Sequence, residues 1–253
     1  MTHTNAGIKS YYEAIWSQPY PAVPLSRRLE KILSQYVSSE SRCLDVGCGD
    51  GQSGAAWLSP LGCRYVGVDI SEVAVRNAQT KGLNAILIED ANHLPFEDSS
   101  FEVVLCTEVL EHLFEPQIAA GEILRVLRSG GVLIATVPNV AYWRRRVDLL
   151  FFGRWNPLGD ALSIKEPWRD PHIRFFTPSS LRRMLTSVGF GGMRVTGHYG
   201  GILRDLPFVG GWFQNESSWV YQAFESLFPS LLACRLIVVA SKPEGGRRGE
   251  EAR

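Results

Sequence analysis

The stretch CLDVGCGDGQSG, Cys43 to Gly54, places four glycines and two aspartates within twelve residues. Bare backbone between a strand and a helix lets amide groups approach a ligand closely, and a helix amino terminus favours negative groups. Gly49-x-Gly51-x-x-Gly54, with Asp69 following Gly49 by 20 residues, satisfies a dinucleotide fingerprint literally. Its register argues against that ligand, because the strand ends at Val46 and the first glycine after it is Gly47. The charges argue the same way: Asp45 and Asp50 would meet a pyrophosphate with like charge, whereas a cationic ligand would be stabilised there. An NAD-dependent oxidoreductase is the weaker reading of this loop.

A second constellation lies in TEVLEHLFEP, where Glu108, Glu111 and His112 stand at i, i+3 and i+4. On a helical turn that spacing brings them to one face. Three chemistries are open: His112 as a general base toward an acceptor hydroxyl, a divalent-metal site from Glu108, Glu111 and His112, or a Glu-His pair that only orients the loop. The reading adopted is acid-base, with no metal. His172, in DPHIRFFT, completes a catalytic constellation if its segment folds over the cleft; otherwise it holds that segment together. On the acceptor side, Tyr142, Trp143, Trp155 and Trp168 offer rings for stacking. Arg146 and Arg174, with Arg144 and Arg145, offer guanidiniums for carboxylate or phosphate. The bland alternative is a small aromatic core with a solvated basic face.

The elements that must position these residues alternate in type. Apolar β-rich runs at RCLDV, RYVGV, NAILI, FEVVLC and GVLIATV are separated by helical patterns starting near Gln52, Ser71 and Pro116. That order predicts a parallel sheet covered on both faces. Helical segments within 8–37, including an amphipathic Ala22 to Val37 able to lie across the site, precede a ligand-binding core at 42–139. Segments 139–176 and 200–232, rich in aromatic residues and without a clean period, read as insertions. Between them, Thr177-Pro178-Ser179 opens a helix and GMRVTGHY follows as a strand. ACRLIVVASK is the last strand, and 244–253 is a disordered tail. The whole reads as one domain, 1–243, with 45% hydrophobic residues to build its core.

Lys plus Arg and Asp plus Glu each total 26, so the formal net charge is zero. No global field then draws the chain to nucleic acid or to an anionic membrane. The five cysteines are scattered without a CxxC pair, which suits reduced thiols in a cytoplasmic protein. The opening MTHTNAGIKSYYE lacks the basic start and apolar run of a secretory signal, and no apolar run approaches the roughly 20 residues that cross a bilayer. The 200–232 insertion is apolar enough for a lid, a homodimer contact or peripheral membrane docking. It lacks the Lys/Arg-rich polar face of an interfacial helix, which favours the first two.

Asp45, Gly47, Gly49 and Gly51, in the order D-x-G-x-G-x-G, resemble motif I of the class I S-adenosylmethionine-dependent methyltransferases. The resemblance runs from Arg42 to about Phe190 and includes LRVLRSGGVLIATVPN. It implies a seven-stranded doubly wound, Rossmann-like α/β sheet with its last strand antiparallel, and S-adenosylmethionine as cofactor. It further implies that Cys48 and the glycines shape the loop, that Asp69 beside Ile70 chelates the ribose hydroxyls, and that Asp90 and Ala91 meet the adenine. Thr107 and Glu108 would flank the methionine part. E-x-x-E-H also occurs in ubiquinone-biosynthesis O-methyltransferases and small-RNA 2′-O-methyltransferases, where it is associated with metal. The PN start at Pro138 and the H-x-R-F-F-T element resemble a bacterial subgroup linked to surface polysaccharides, which implies a small-molecule or glycan hydroxyl as acceptor. A non-catalytic module on the same fold is the remaining alternative.

Overall fold

A computed structural model describes residues 2–18, 26–155, 170–198 and 229–244. Helices α1 (Thr2–Trp16) and α2 (Arg27–Tyr36) precede β1 (Arg42–Val46), α3 (Gly54–Leu58), β2 (Arg64–Asp69), α4 (Glu72–Thr80) and β3 (Ala85–Leu87). Then come β4 (Phe101–Thr107), α5 (Pro116–Val126), β5 (Leu127–Pro138), α6 (Trp143–Phe152), α7 (Pro178–Val188), β6 (Gly191–His198), α8 (Pro229–Leu232) and β7 (Arg235–Ser241). The seven strands form one sheet in the order β3-β2-β1-β4-β5-β7-β6. β1 pairs in parallel with β2 and β4, while β7 runs antiparallel to both β5 and β6. This is the expected doubly wound sheet with its reversed last strand. The order turns back between β1 and β4, so a ligand crevice opens above their carboxyl ends.

Period-two alternation divides the strand side chains between two cores. Leu44, Val46, Val104, Cys106 and Leu133 face Ala120 and Ile123 of α5 and Leu181 and Leu185 of α7. Cys43, Val103, Leu105 and Ile134 turn the other way, against Leu29, Ile32 and Leu33 of α2 and Leu58 of α3. Ser71 caps α4, accepting from the Ala74 amide at 3.2 Å, as the Ser71-Glu72 start predicts. The helix expected from Gln52 begins at Gly54.

Two differences bear on the site. Segment 139–176 is not irregular throughout, since α6 occupies Trp143–Phe152. Its run of consecutive apolar residues at the carboxyl end hides the helical period. α2 starts later than expected, behind the Ser26 cap, and buries its apolar stripe against the sheet. The helix lying on the ligand loop is instead α1: Glu13 accepts from Ser71 Oγ at 2.9 Å, Glu72 N at 2.8 Å and Val73 N at 3.0 Å, capping α4 from outside. Trp168, residues 200–228 of the second insertion and tail residues 245–253 lie outside the described residues.

Gly54 has a packing reason to be glycine. A Cβ there would stand 2.0 Å from Asp45 Oδ2, a carboxylate that is 1% exposed. Gly54→Ala therefore displaces Asp45, and we expect a loss of about 1–2 kcal/mol in chemical denaturation from overpacking. An unchanged denaturation midpoint would contradict this close approach.

Candidate active site

A cavity of about 620 Å³ opens over the carboxyl ends of the strands, a size suited to small-molecule ligands. Gly47, Cys48 and Gly49 after β1, Asp69 ending β2 with Ile70 after it, and Thr107 ending β4 with Glu108 after it line it. Asp90 and Ala91, after β3, line it as well. The structure thus brings together most of the residues the sequence nominates for cofactor. Asp69 Oδ2 accepts from the Gly49 amide at 2.8 Å and its Oδ1 from the Ser71 amide at 2.9 Å. The β2 acid and the glycine loop therefore hold each other. A carboxylate oxygen keeps further lone pairs for a ligand hydroxyl. Gly49, at φ 54, lies under α1: a Cβ there would be 2.5 Å from the Trp16 ring.

Contrary to the expectation from their charges, neither Asp45 nor Asp50 stands as a free carboxylate toward a cationic ligand. Asp50 is bound by Lys81 Nζ at 2.7 Å and by Gln52, so its charge is already matched. Burial alone would raise its carboxyl, but the bonds from Lys81 and Gln52 hold it below the usual carboxylate value. Asp45 lies beneath the loop, where Oδ2 accepts from the Tyr65 hydroxyl at 3.0 Å and Oδ1 has no partner. Burial pushes its carboxyl up to about 7. Neither Asp45 nor Gly51 lines the cavity among the described residues; Gly51 packs toward Leu83.

The Glu-His cluster forms with a different membership from the one its spacing suggests. Glu108 takes a positive φ of 54, and its Oε1 accepts from Thr136 Oγ1 at 2.8 Å and pairs with Arg235 Nε at 3.0 Å. The following turn is a short 3-10 helix, Leu110–His112, so the α-helical face expected for Glu108, Glu111 and His112 does not exist. His172 takes the place of Glu108. The amides of Ile173 and Arg174 both donate to the Glu111 carbonyl at 3.0 Å, bringing the 170–174 segment onto this turn. The His112 and His172 rings stack with centroids 4.6 Å apart. His172 Nε2 is 3.7 Å and His112 Nε2 4.0 Å from Glu111 Oε1.

Each imidazole has its Nδ1 occupied. His112 Nδ1 lies 3.2 Å from the Pro171 carbonyl, which can only accept, so that nitrogen carries the proton and Nε2 keeps a lone pair. His172 Nδ1 lies 2.7 Å from Asp170 Oδ1. Burial, reinforced by the neighbouring His172 charge, pushes His112 down to about 4, leaving it neutral at pH 7. Burial opposes protonation of His172, but Glu111 and Asp170 hold its pKa above the ordinary histidine value. Glu111 is 1% exposed, and burial with the Glu108 charge pushes it up to about 7. Neither of its carboxylate oxygens has a hydrogen-bond partner.

The nominated acceptor residues fare differently. Among the described residues, Tyr142, Trp143, Arg146 and Arg174 do not line the cavity. Tyr142 is buried, and its ring meets Trp143 edge-on at 6.1 Å. Arg146 is exposed and donates to the Ala141 carbonyl at 2.6 Å; α6 instead turns Arg145 inward, onto the Asn139 carbonyl at 2.8 Å. Arg174 reaches the rim only indirectly, over the ring of Phe114, which does line the cavity. Besides Phe114, the aromatic rings that line it, Tyr11, Tyr12, Trp16 and Trp57, come from α1 and α3. They went unnamed in the sequence because the α1 segment carries no strong apolar stripe. Arg235 is also present, and a cation opening an otherwise apolar strand could have signalled it.

Comparison with known proteins agrees with the fold. Residues 44–135 match the family model described as a methyltransferase domain. A probable S-adenosylmethionine-dependent methyltransferase of Mycolicibacterium smegmatis is 35% identical over 149 residues, 58% of this chain and 51% of that protein. The ubiquinone biosynthesis O-methyltransferase of Xanthomonas oryzae pv. oryzae is 30% identical over 135 residues, 49% of this chain and 56% of that one. The chain thus spans about half the length of these curated relatives. In fold it is similar to a SAM-dependent methyltransferase from Archaeoglobus fulgidus, with TM-score 0.58 and 20% identity over 86% of this chain and 95% of that one.

Proposed function

We propose that this chain, whose residues 44–135 match a methyltransferase domain, is a class I S-adenosylmethionine-dependent methyltransferase and transfers the methyl group of that cofactor to a hydroxyl of a small-molecule or glycan acceptor. The hydroxyl reading is carried by His112: its Nδ1 is fixed by a carbonyl, it is neutral at pH 7, and it borders the cavity. In this reading Asp69 holds the ribose, Asp90 and Ala91 meet the adenine, and Thr107, Glu108 and the glycine loop flank the methionine part. The sulfonium is already a strong methyl donor, so the protein aligns the acceptor oxygen with the methyl–sulfur bond, excludes water and removes one proton. His112 Nε2 takes that proton. Glu111, whose oxygens accept no hydrogen bond and whose Oε1 stands 4.0 Å away, stabilises the imidazolium as it forms. Tyr12 and Trp16 offer faces for an acceptor ring.

Calorimetric titration tests the cofactor assignment. We expect saturable binding of S-adenosylhomocysteine and none of NAD, and the reverse result would end the proposal. Incubation with methyl-labelled cofactor and a panel of phenols, sugars and amines tests the acceptor class; label appearing only on nitrogen would overturn the hydroxyl reading.

One observation favours a second reading of the same cluster. Glu111, His112 and His172 each offer a ligand atom within 4.8 Å of the others, and Asp170 and the Pro171 carbonyl orient the two rings as outer partners orient metal-bound histidines. These three residues fit a divalent cation, which when bound would lower the pKa of an acceptor hydroxyl. Full activity after chelation leaves His112 as the base; loss restored by a divalent cation assigns the cluster to metal.

A further inference from the structure

We propose that the carboxyl end of α6 docks this chain on an anionic lipid bilayer. The helix closes with Leu149, Leu150, Phe151 and Phe152, which are 49%, 77%, 71% and 60% exposed. At about 3.6 residues per turn, four in a row surround the axis and leave no polar side to this last turn. A flat protein partner covers one stripe at i, i+3 and i+4. An end that is apolar all round is satisfied by surroundings that close about it, as headgroups and acyl chains do.

Charge points the same way. Trp143 to Trp155 carries four arginines against one aspartate, on a chain whose net charge is zero. Arg145 is buried, whereas Arg146 and Arg154 are exposed, and the Arg154 guanidinium lies over the Phe152 ring at 5.4 Å. Cations beside exposed aromatic rings suit the boundary between anionic headgroups and acyl chains. This is the basic character that the 200–232 insertion lacks. Beyond the helix end, the Trp155 ring meets Phe175 at 5.2 Å, and the guanidinium of Arg174, the residue before Phe175, lies over Phe114 at the cavity rim. Docking here would set the cavity mouth near the bilayer surface, whatever reaction the cavity performs.

Co-sedimentation of the full chain with vesicles tests this. We expect partition onto vesicles of three parts phosphatidylcholine to one part phosphatidylglycerol, little onto phosphatidylcholine alone, and weakening in about 0.5 M salt. The paired change Leu150→Ser with Phe151→Ser, and separately Arg146→Glu with Arg154→Glu, should each weaken partition about tenfold or more. Unchanged melting temperature and S-adenosylhomocysteine binding would show that both variants keep their fold. No partition by the wild-type chain, or wild-type partition by both variants, overturns the proposal. So does a dimer that becomes monomeric in the Leu150/Phe151 variant without any change on vesicles, which would assign the helix end to a second copy.

Discussion

His112→Gln should lower kcat by about two to four orders of magnitude, the range that general bases contribute, while S-adenosylhomocysteine binding stays within about twofold. Glutamine keeps a polar side chain of similar reach but cannot accept the proton. The residues nominated for the ribose and the adenine, Asp69, Asp90 and Ala91, follow β2 and β3, away from the turn that carries His112, so the change falls mainly on the proton-transfer step. A base held near 4 is weak at rest, and for that reason the neighbouring carboxylate matters. Glu111 Oε1 has no hydrogen-bond partner and stands 4.0 Å from His112 Nε2 and 3.7 Å from His172 Nε2. The arriving proton turns a neutral imidazole beside an unbonded acid into a paired imidazolium, and such pairing strengthens in a water-poor site. Glu111→Gln should then lower kcat while leaving KM for the cofactor nearly unchanged. If His112→Gln retains kcat within about threefold, proton removal belongs to another group or to solvent.

The parts of this site legible in sequence are those that a local pattern dictates. A strand, a glycine turn and a helix follow one another within Arg42 to Leu58, so the loop and the strand-end acids Asp69 and Asp90 could be placed before any coordinates. Period-two apolar runs likewise announced the sheet. What escaped depends on contacts between distant segments. His172 reaches His112 because the 170–174 backbone bonds to the Glu111 carbonyl, a pairing across some 60 positions that no spacing rule contains. Glu108 left the cluster because its positive φ and its partners Thr136 and Arg235 turn it elsewhere. The arginines of α6 looked like anion ligands because composition cannot say which side of a helix meets the cavity. The role of α1 hid for a related reason: it holds the site through scattered long-range contacts, Glu13 on the amino end of α4, Trp16 on Gly49 and Tyr12 edge-on to His112 at 5.8 Å.

Asp45 offers the second large effect, on stability rather than rate. Its carboxyl, one residue before the end of β1, is 1% exposed, with one oxygen on Tyr65 and no hydrogen-bond partner for the other, and burial raises its pKa from the ordinary carboxylate range to about 7. A raised acid binds its proton more tightly folded than unfolded. Its contribution to stability is therefore fully present below the unfolded value near 3.9 and is lost as pH rises toward 7. Between pH 5 and pH 8 this one group should cost the cofactor-free protein about 2–3 kcal/mol. Other carboxyls shift in both directions, Asp50 down and Glu111 up, so the informative quantity is the difference between proteins. Asp45→Asn cannot titrate and keeps an oxygen for the Tyr65 hydroxyl. Urea denaturation at the two pH values should show the wild-type chain losing about 2–3 kcal/mol more than Asp45→Asn over that interval. Equal losses would mean that the carboxyl is solvated or paired in solution.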